Sequence, residues 1–513
     1  MHTHIWGTNM KNKNILINIA IIFGFMLITS ANIFIQKLSN LDEIWIYNFG
    51  RCIINGLLPY KDFSIIITPL FAYISAAFLR VFGSEMIVLR CAEVIQTALV
   101  LFMIYKNLEK LKVNKGISLL FTLGIYYLYS KSFCFDYNWA VLLISLIILY
   151  RELREDKTLE YKFKSDLIIG VLAGITILLK QTSGIILSLV VIGYKAFEIR
   201  NKNEFKTFIE ILLARILGVL LPILAFAIYL SYNNIWTDFI DYAISGISTF
   251  SNTIPYTRLL DNNYILAYVV PVFLALIFMI YIVTLTVKRI REKEWAIKIR
   301  VLFFFDIATA VVVYPISDIM HFSVATICTL LTVIYIINVW FVYGLKVENK
   351  KIKYAFNTFF SVLAILIFII YVGISSYHTF IYIKNIQDEK YLRHFKYIQT
   401  SQDIYNTIEQ VDEYIEKKGQ EGKDVIVLDS MASAINIPID KYYKNYDMFN
   451  LGNFGAKGEE GIIEDIKHRN NTIFMVKKGK YKNNWQHPTK IIDYVRQNFT
   501  IIDEIELFDI YSK

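Results

Sequence analysis

The chain has 513 residues, of which 56% are hydrophobic and only 19% are charged, and its mean hydropathy is +0.45. This composition excludes an ordinary soluble domain and is typical of an integral membrane protein. The formal net charge of +9 would suit a nucleic-acid-binding protein. The basic residues lie in short loops between apolar stretches, however, so we attribute them to membrane topology and expect no nucleic-acid partner.

Eleven apolar segments have about the 17–25 residues that a membrane-spanning helix needs, although several of them are short. They are residues 14–36, 86–105, 116–135, 133–150, 166–182, 183–199, 209–231, 264–287, 299–315, 321–343 and 354–375. A twelfth apolar stretch, 64–82, contains Pro69. We interpret it as a juxtamembrane or re-entrant element, which is allowed where protein shields the backbone.

The basic residues predict how these segments are threaded through the membrane. Loops rich in Lys and Arg remain in the cytoplasm. Such loops are residues 106–115, 151–166, 195–207, 288–300 and 346–353. These loops and the start of the chain, with Lys11 and Lys13, can all lie on the cytoplasmic side only if the stretch 64–82 makes no net crossing of the membrane. The sequence therefore predicts a multi-pass protein of the cell membrane with eleven net spans, a cytoplasmic N-terminus and an external C-terminus.

The chain becomes more polar after about residue 380 and changes its periodicity. Helical spacing of apolar residues alternates there with short strand-like runs. The helical segments are 401–418, 458–468 and 488–498, and the strand-like segments are 424–429, 472–477 and 500–511. The predicted fold is thus an α-helical polytopic membrane domain, 1–379, followed by a small extracytoplasmic α/β domain, 380–513. No residue of the second domain has a catalytic pattern, and we expect it to position an acceptor or to brace the outer loops.

The first external loop, residues 41–90, carries the most specific pattern in the sequence. Asp42 and Glu43 follow directly on the first span, and apolar residues then recur at helical spacing up to Gly56. This spacing predicts a helix that lies in the membrane interface. An acidic pair at this position could take a proton from a hydroxyl group or hold a cation. Alternatively, Asp42 only caps the interfacial helix.

Several short elements follow one another along this loop in a fixed order. They are Asp42-Glu43, the turn from Gly56 to Asp62, Pro69-Leu70, Phe82-Gly83 and Arg90. Their order and spacing resemble the GT-C superfamily, the multi-pass glycosyltransferases that use polyprenyl-phosphate sugars, and in particular its protein O-mannosyltransferases and lipid A aminoarabinose transferases. The likeness covers roughly residues 15–200, and the later membrane part resembles the superfamily by architecture only. Many relatives have Pro-Pro where this chain has Thr68-Pro69, which leaves the subfamily open.

The resemblance implies an inverting transfer of a sugar from a polyprenyl-phosphate donor to a hydroxyl group of a lipid, envelope polymer or protein outside the cytoplasm. By the same match, Asp42 is the catalytic base, with Glu43 as the alternative base or its partner. The departing lipid phosphate needs cations rather than a strong acid. The candidates are Arg51, Lys61 and Lys180, and Asp62 lies in the same turn as Lys61. No cofactor is required, and no metal site is predicted.

Three further external helix ends carry candidate ligands of the donor phosphate or sugar. Asp136 matches a second-loop acid of the relatives, and Lys180 and Gln181 end a short span. Lys180 could bind phosphate or simply extend to the headgroups. Asp318 and His321 are three residues apart, so that they share a helix face. They could bind the donor, or they could hydrogen-bond to each other and close a helix turn; two ligands alone are too few for a metal.

Two other classes of protein remain open from the sequence. A transporter or flippase of a lipid-linked or anionic solute would also be polytopic, but such proteins often contain internal repeats and mid-membrane binding groups. The first-loop pattern has no second copy, and most of the candidate acids lie at helix ends. The other alternative is an inactive relative that serves as a scaffold. The enzymatic interpretation requires the candidate residues to converge on one external pocket.

Overall fold

The computed structural model describes residues 2–38, 41–153, 159–249, 254–341, 350–386, 391–479, 488–505 and 507–513. Parts of two predicted basic loops, residues 154–158 and 346–349, lie outside the described residues. The side chains of Lys11 and Lys13 are likewise not described. The rest of the chain is mostly helical with one small sheet near its end, as predicted.

The described helices follow the predicted apolar segments in order. In chain order they are α1 (His2–Ile35), α2 (Leu41–Ile54), α3 (Leu70–Phe82), α4 (Ile87–Lys110), α5 (Lys115–Tyr129), α6 (Tyr137–Glu152), α7 (Phe163–Leu179), α8 (Gln181–Gly193), α9 (Lys202–Tyr232), α10 (Trp236–Phe239), α11 (Thr257–Asp261), α12 (Ile265–Thr286), α13 (Lys288–Arg291), α14 (Glu294–Ala310), α15 (Ile319–Val339), α16 (Lys350–Asn385), α17 (Gln402–Gln420), α18 (Ala432–Asn436), α19 (Gly458–His468) and α20 (Thr489–Asn498). Eleven of these correspond to the eleven predicted spans.

Six of the helices that the structure describes are long and apolar enough to cross a membrane unaided. They are Asn14–Ile35 within α1, α4, α9, α12, α15 and Tyr354–Asn385 within α16. The five other helices at predicted spans, α5 to α8 and α14, have 13 to 17 residues. At 1.5 Å per residue they are shorter than the apolar layer of a typical bilayer. A multi-pass membrane architecture is confirmed, and the number of eleven net spans stays a prediction.

The chain divides into two compact units that are discontinuous in sequence. Unit 1 comprises Met1–Phe34, Cys91–Ile223 and Ile254–Lys384. Unit 2 comprises Ile35–Arg90, Leu224–Thr253 and Asn385–Lys513. The sequence predicted a single boundary between 379 and 380. In the structure the first loop belongs to the same unit as the C-terminal residues.

Unit 1 is a helix bundle whose core is formed by the apolar faces of the shorter helices and of α4 and α15. Leu146, Leu302 and Leu331 are fully buried there. Small residues allow the backbones of two helices to approach closely. Such close packing helps helices to associate in a bilayer, where the hydrophobic effect does not act between them. A Cβ atom at Gly170 of α7 would lie 2.2 Å from the carbonyl oxygen of Arg215 in α9. A side chain at position 170 would therefore separate these two helices.

The C-terminal part of unit 2 is the predicted small α/β domain. Its four strands are β1 (Asp424–Leu428), β2 (Thr472–Lys477), β3 (Thr500–Ile505) and β4 (Phe508–Ser512), in the order β1-β2-β4-β3. Strands β1 and β2 are parallel and are connected through α19, and the other pairings are antiparallel. The strand β2 has the predicted bounds, and its residues are nearly all buried. The predicted run 500–511 forms a hairpin of two strands.

The first loop contributes two helices to unit 2. The helix α2 ends at Ile54, shortly before Gly56, whose φ of +84° is a conformation that glycine adopts readily. The helix α3 begins at Leu70 directly after Pro69, so the predicted break of the stretch 64–82 at this proline is confirmed. Buried residues of this loop, among them Phe63, pack with residues of 224–253 and with Met448 in one apolar cluster.

Candidate functional site

The ten predicted site residues divide evenly between the two units. In unit 2 lie Asp42, Glu43, Arg51, Lys61 and Asp62. In unit 1 lie Asp136, Lys180, Gln181, Asp318 and His321. Their predicted convergence on one pocket stays a prediction, and each half has its own geometry.

The acidic pair of the first loop occupies the first turn of α2, and its two members have different surroundings. Asp42 is partly exposed, whereas Glu43 is buried. Arg90 Nε lies 2.7 Å from Glu43 Oε1, and Arg90 Nη2 lies 3.2 Å from Oε2. Arg90 is 1% exposed and also donates a hydrogen bond to the carbonyl oxygen of Gln36. Two elements of the sequence pattern, the second acid and the distant arginine, thus form one buried ion pair.

Arg51, a predicted ligand of the departing phosphate, is buried against the C-terminal domain. Its Nη1 donates to the carbonyl oxygen of Ile437 at 2.9 Å, and its Nη2 pairs with Asp440. Arg393 and His394 also contact that carboxylate, at 2.9 and 3.3 Å. Partial burial raises the pKa of Asp440, but the hydrogen bond and charge of Arg51 outweigh it and hold the pKa below its usual value. The predicted bracing of the first loop by this domain has a physical basis here, and a phosphate would have to compete with Asp440 for Arg51.

The turn after α2 presents the cation of Lys61, and the neighbouring carboxylate of Asp62 holds the backbone of the turn. Asp62 Oδ2 accepts a hydrogen bond from the backbone N–H of Leu58 at 2.8 Å. Tyr60 adopts a φ of +69°, and its N–H bonds to the carbonyl oxygen of Phe63. Lys61 at the tip is exposed. Asp62 therefore shapes the turn, and Lys61 is the side chain of this turn that is accessible to an anion.

In unit 1, Asp136 caps the N-terminus of α6. Its Oδ1 accepts the backbone N–H of Asn138 at 2.6 Å, and the side chain is fully buried. Its carbonyl oxygen accepts a hydrogen bond from Gln96 Nε2 at 2.9 Å. A capping carboxylate is common at this position. The structure thus gives Asp136 a local structural role, whatever it contributes to a ligand.

Lys180 lies at the break between α7 and α8, where its backbone is extended. Its Nζ donates to Asn138 Oδ1 at 2.6 Å and lies 5.4 Å from the centre of the Tyr137 ring. The Asn138 amide in turn contacts Met320 Sδ at 3.8 Å. The structure therefore brings Lys180, Asp136 and the turn at 318–321 together around Asn138. Gln181, the first residue of α8, is partly exposed.

Asp318 and His321 interact with each other. Asp318 caps α15, and its Oδ1 accepts hydrogen bonds from His321 N at 2.8 Å and from the ring Nδ1 at 2.9 Å. Burial raises the pKa of Asp318, but the hydrogen bond from His321 and its charge lower it below the usual value. The mutual hydrogen bond that closes a helix turn, one of the two alternatives left open by the sequence, is present. Donor binding by the same pair stays a prediction.

The sequence analysis did not identify two side-chain amides near the candidate residues of unit 1, those of Asn138 and Gln96. Both are polar side chains within or at the end of predicted spans, and both are buried. A lone polar residue in an apolar helix is a functional candidate by default. By this rule Asp306, which lies inside a predicted span, is also a candidate, and its Oδ1 accepts a hydrogen bond from Thr332 Oγ1 at 3.0 Å. Applied to amides as well as acids, it would have included Gln96.

A second polar cluster of unit 1 was not predicted at all. Arg215 of α9 lies 2.7 Å from Glu152 and 2.8 Å from Asp166, and Lys195 lies 3.4 Å from Glu152. The four side chains are at most 4% exposed. They carry two positive and two negative charges, so the cluster is balanced. Glu152, Asp166 and Lys195 lie beside predicted cytoplasmic loops, at the end of α6, in the first turn of α7 and just after α8, whereas Arg215 lies inside α9. This placement indicates a structural role, in which Arg215 joins α9 to those ends.

Among the residues that the structure describes, no group of three or more His, Cys, Asp and Glu side chains is placed to hold a metal ion. The chemistry available in unit 2 is that of a partly exposed carboxylate, Asp42, and an exposed ammonium, Lys61. In unit 1 it is that of the Lys180 ammonium beside the buried amide of Asn138.

The predicted resemblance to the GT-C glycosyltransferases is confirmed at the level of fold, because solved structures of two such proteins are similar to this chain over at least 90% of its length. Two structures of ArnT, the lipid A aminoarabinose transferase, from Cupriavidus metallidurans are similar to this chain, each with a TM-score of 0.53. The one bound to undecaprenyl phosphate is 11% identical over 97% of both chains, and the apo structure is 10% identical over 98% of both.

A third similar structure is the archaeal oligosaccharyltransferase AglB from Archaeoglobus fulgidus, in complex with an inhibitory peptide and a dolichol-phosphate. It is 12% identical, with a TM-score of 0.52, over 90% of this chain and 69% of that chain. No protein-family model matches the sequence, and no curated protein matches it. At these identities the likeness establishes the fold, and the activity has to be argued from the site.

Proposed function

We propose that this protein is a membrane glycosyltransferase that moves a sugar from a polyprenyl-phosphate donor to a hydroxyl acceptor on the extracytoplasmic face, with inversion at the anomeric carbon. The acceptor is a lipid, an envelope polymer or a protein. Two proteins of the same fold were solved with undecaprenyl phosphate and with a dolichol-phosphate, which supports a lipid-phosphate donor. The partly exposed carboxylate of Asp42, beside a second carboxylate that is already neutralised, is the observation that carries the proposal.

The different surroundings of the two first-loop acids favour Asp42 as the base. Both oxygens of Glu43 face the Arg90 guanidinium, and proton uptake by Glu43 would leave that buried cation unpaired. Breaking a buried ion pair in this way costs about 3–5 kcal/mol. Asp42 lies in the first turn of the same helix and is partly exposed. Glu43 then acts as a positioning residue that holds α2 against the start of α4.

The proposed step balances without any further reactant. The acceptor oxygen forms a bond to the anomeric carbon as the bond from that carbon to the phosphate oxygen breaks. The hydroxyl proton passes to Asp42, and the electron pair of the broken bond leaves with the polyprenyl phosphate. Because the leaving group departs as an anion, cations that bind the phosphate stabilise the transition state. We assign this role to Lys180 and Lys61, and we regard Arg51 as a secondary candidate because Asp440 already engages it.

A transfer assay with the purified protein tests the assignment. The donors are undecaprenyl phosphate linked to labelled glucose, galactose, mannose or an aminopentose, offered with a membrane lipid fraction as the source of acceptor. We expect Asp42→Asn to lower turnover by about 10²–10⁴, the usual contribution of a general base. Glu43→Gln is the matched control, because it makes the same chemical change one residue further along, and it should retain turnover within about tenfold per folded molecule.

Three outcomes separate the alternatives. Loss of turnover in Asp42→Asn but not in Glu43→Gln supports the proposal, and equal turnover in wild type and Asp42→Asn removes Asp42 from the role of base. If the wild type transfers none of the sugars, the transferase assignment fails. Movement of the same labelled lipid across the bilayer of reconstituted vesicles would then identify a flippase, and its absence a scaffold.

A further inference from the structure

An exposed apolar stripe continues from the end of α9 into the segment that follows it in unit 2. Leu224, Ile228 and Tyr232 of α9 are spaced by four residues, so that they share a helix face, and they are 55%, 70% and 85% exposed. In the segment 236–249, four large apolar side chains are between 42% and 54% exposed, namely Trp236, Ile240, Ile244 and Ile247. The first three continue the spacing of four, and all are carried by a helical run that begins with α10. Exposed apolar surface grouped in this way marks an interaction site.

The break between α9 and this segment is a well-defined helix end. Asn234 adopts a φ of +54°, and its N–H donates to the carbonyl oxygen of Ser231 at 3.2 Å. The N–H of Ile235 donates to the carbonyl oxygen of Leu230 at 3.1 Å, and both of these side chains are fully buried in one apolar cluster. The two hydrogen bonds form a Schellman motif. Trp236 Nε1 also donates to Ser231 Oγ at 2.8 Å, so local contacts fix the direction in which the chain leaves α9.

The polar side chains of the segment 236–249 bind it to the C-terminal domain. Four of them contact residues 444–456: Asp238 with Lys444 at 3.4 Å, Tyr242 with the side chain of Asn445, Asp241 with the backbone N–H of Ala456 at 3.1 Å, and Thr249 with the carbonyl oxygen of Gly455 at 3.2 Å. The backbones are also close, since a Cβ atom at Gly246 would lie 3.2 Å from the Cα atom of Gly455. The segment has two charged residues, Asp238 and Asp241, and both make these contacts. The exposed stripe itself is therefore uncharged.

The stripe has the chemistry of a surface that contacts lipid. The helix α9 is long and apolar enough to cross a membrane, so the exposed side chains of Leu224 and Ile228 face acyl chains. Trp236 follows where the span ends, and tryptophan is enriched at the boundary between membrane and water. A helix with one apolar and one polar side lies in that boundary, with its apolar side buried by about 5–10 Å. The segment contains no Lys or Arg, so apolar contact rather than attraction to anionic headgroups would hold it.

The size of the stripe also favours lipid over a second copy of the chain. Four side chains that are about half exposed present roughly 300–400 Å², whereas a stable protein interface buries about 800 Å² on each partner. A bilayer needs no matching surface, and it already covers the exposed face of α9 from which the stripe continues.

We propose that residues 236–249 form an interfacial anchor, whose partner is the membrane leaflet at the C-terminal end of α9. Trp236, Ile240, Ile244 and Ile247 insert into this leaflet. The contacts of the same segment with residues 444–456 then hold the C-terminal domain at the membrane surface. This anchoring does not require the transferase activity and is retained in Asp42→Asn.

Fluorescence quenching in nanodiscs of phosphatidylcholine tests the anchor. Full-length protein with Cys91→Ser keeps only buried native thiols, so a single added cysteine takes up an environment-sensitive dye. The added cysteines are Ile244→Cys and Ile247→Cys in the segment, Leu224→Cys in α9, and Asn498→Cys at an exposed position of the C-terminal domain. The lipid carries a nitroxide quencher either at the headgroup or deep in the acyl chain.

We expect the dyes at 244 and 247 to be quenched by the headgroup nitroxide at least about threefold more strongly than the dye at 498. Position 224 lies eight residues before the end of α9, about 12 Å along the helix axis, so its dye should be quenched more strongly by the deep nitroxide. High salt should leave the quenching at 244 and 247 unchanged, because no ionic contact with lipid is involved.

Three results would overturn the lipid contact. Quenching at 244 and 247 that is no stronger than at 498 would place the segment in water. Disulfide cross-linking of Ile244→Cys between two copies, with the nitroxide excluded, would identify a second chain as the partner. Quenching that appears only after undecaprenyl phosphate is added would identify the hydrocarbon tail of that lipid instead.

Hydrogen exchange of the unlabelled protein tests the second part, the hold on the C-terminal domain. In nanodiscs, Ile240→Asn/Ile244→Asn should raise amide exchange of residues 444–456 at least about threefold over the wild type, because the segment loses its attachment to lipid. Thr237→Asn/Ser248→Asn changes two exposed polar residues of the same segment and is the matched control. Equal exchange in the wild type and the isoleucine variant would show that lipid contact does not hold the domain.

Discussion

The buried pair of Glu43 and Arg90 offers a quantitative test of how the first loop is held. Arg90→Met keeps most of the length of the side chain but removes the guanidinium. The side chains of Arg90 and Glu43 are 1% and 10% exposed, and the shortest contact between them is 2.7 Å. Without Arg90 the carboxylate is buried and uncompensated, which costs about 3–5 kcal/mol. We therefore expect the free energy of unfolding of unit 2 to fall by about 3–5 kcal/mol.

The double variant Glu43→Leu/Arg90→Met separates the charge effect from packing. Removing both partners of a buried pair is often neutral or stabilising, so this variant should recover to within about 1 kcal/mol of the wild type. Lys490 and Glu460 provide the matched control, because their contact is also 2.7 Å but their side chains are 63% and 70% exposed. Lys490→Met should cost less than about 1 kcal/mol.

The buried thiol of Cys52 reports unfolding of unit 2. It lies in α2, and the three other cysteines belong to unit 1. In a background in which those three are replaced by alanine, the labelling of Cys52 by a thiol-reactive dye follows the opening of the first loop as denaturant or temperature rises. The reasoning fails if Arg90→Met changes the free energy of unfolding by less than about 1 kcal/mol, or if the double variant loses the sum of the single losses.

Three further outcomes can be measured. Arg215→Met leaves two buried carboxylates without their main partner, so we expect the free energy of unfolding to fall by more than about 3 kcal/mol and little monodisperse protein on size exclusion. Lys112→Met, at an exposed ion pair, is the control and should behave as the wild type does. Burial raises the pKa of Asp447 from 3.8 to about 7, so its stabilising effect is fully present below pH 4 and is lost as the pH rises through 7. Across that range the wild type should therefore lose on the order of 4 kcal/mol more stability than Asp447→Asn, as followed by urea unfolding of both proteins at each pH. Lys180→Met should weaken binding of undecaprenyl phosphate in micelles by at least about tenfold, and an unchanged affinity would leave Lys180 a headgroup anchor.

Local periodicity was sufficient to predict most of the secondary structure. The helix α19 and the strand β2 have the bounds that the apolar spacing indicated, and α3 begins after the predicted break at Pro69. These features depend on neighbours within a few residues, which a sequence displays directly. The small C-terminal sheet and the polytopic class followed from the same signals together with composition.

The pairings between distant residues were not predictable, because nothing local marks them. Arg51 was one of three candidate ligands of the phosphate, and nothing in the sequence indicated that it contacts Asp440. Arg90 appeared only as one element of a pattern, without any indication that it neutralises Glu43. Such partners are decided by the tertiary fold. Sequence reasoning identified these arginines as unusual but could not say what each one touches.

The discontinuity of unit 2 has a consequence for the biogenesis of the protein. Arg51 is separated from Asp440 by 389 positions in the chain. At a synthesis rate of about 5–20 residues per second, the second residue emerges roughly 20–80 s after the first. During that interval the nascent chain already contains α2 with Arg51, but not yet its partner Asp440. A ribosome that stops before residue 440 would accordingly leave the first loop without its partner in the C-terminal domain.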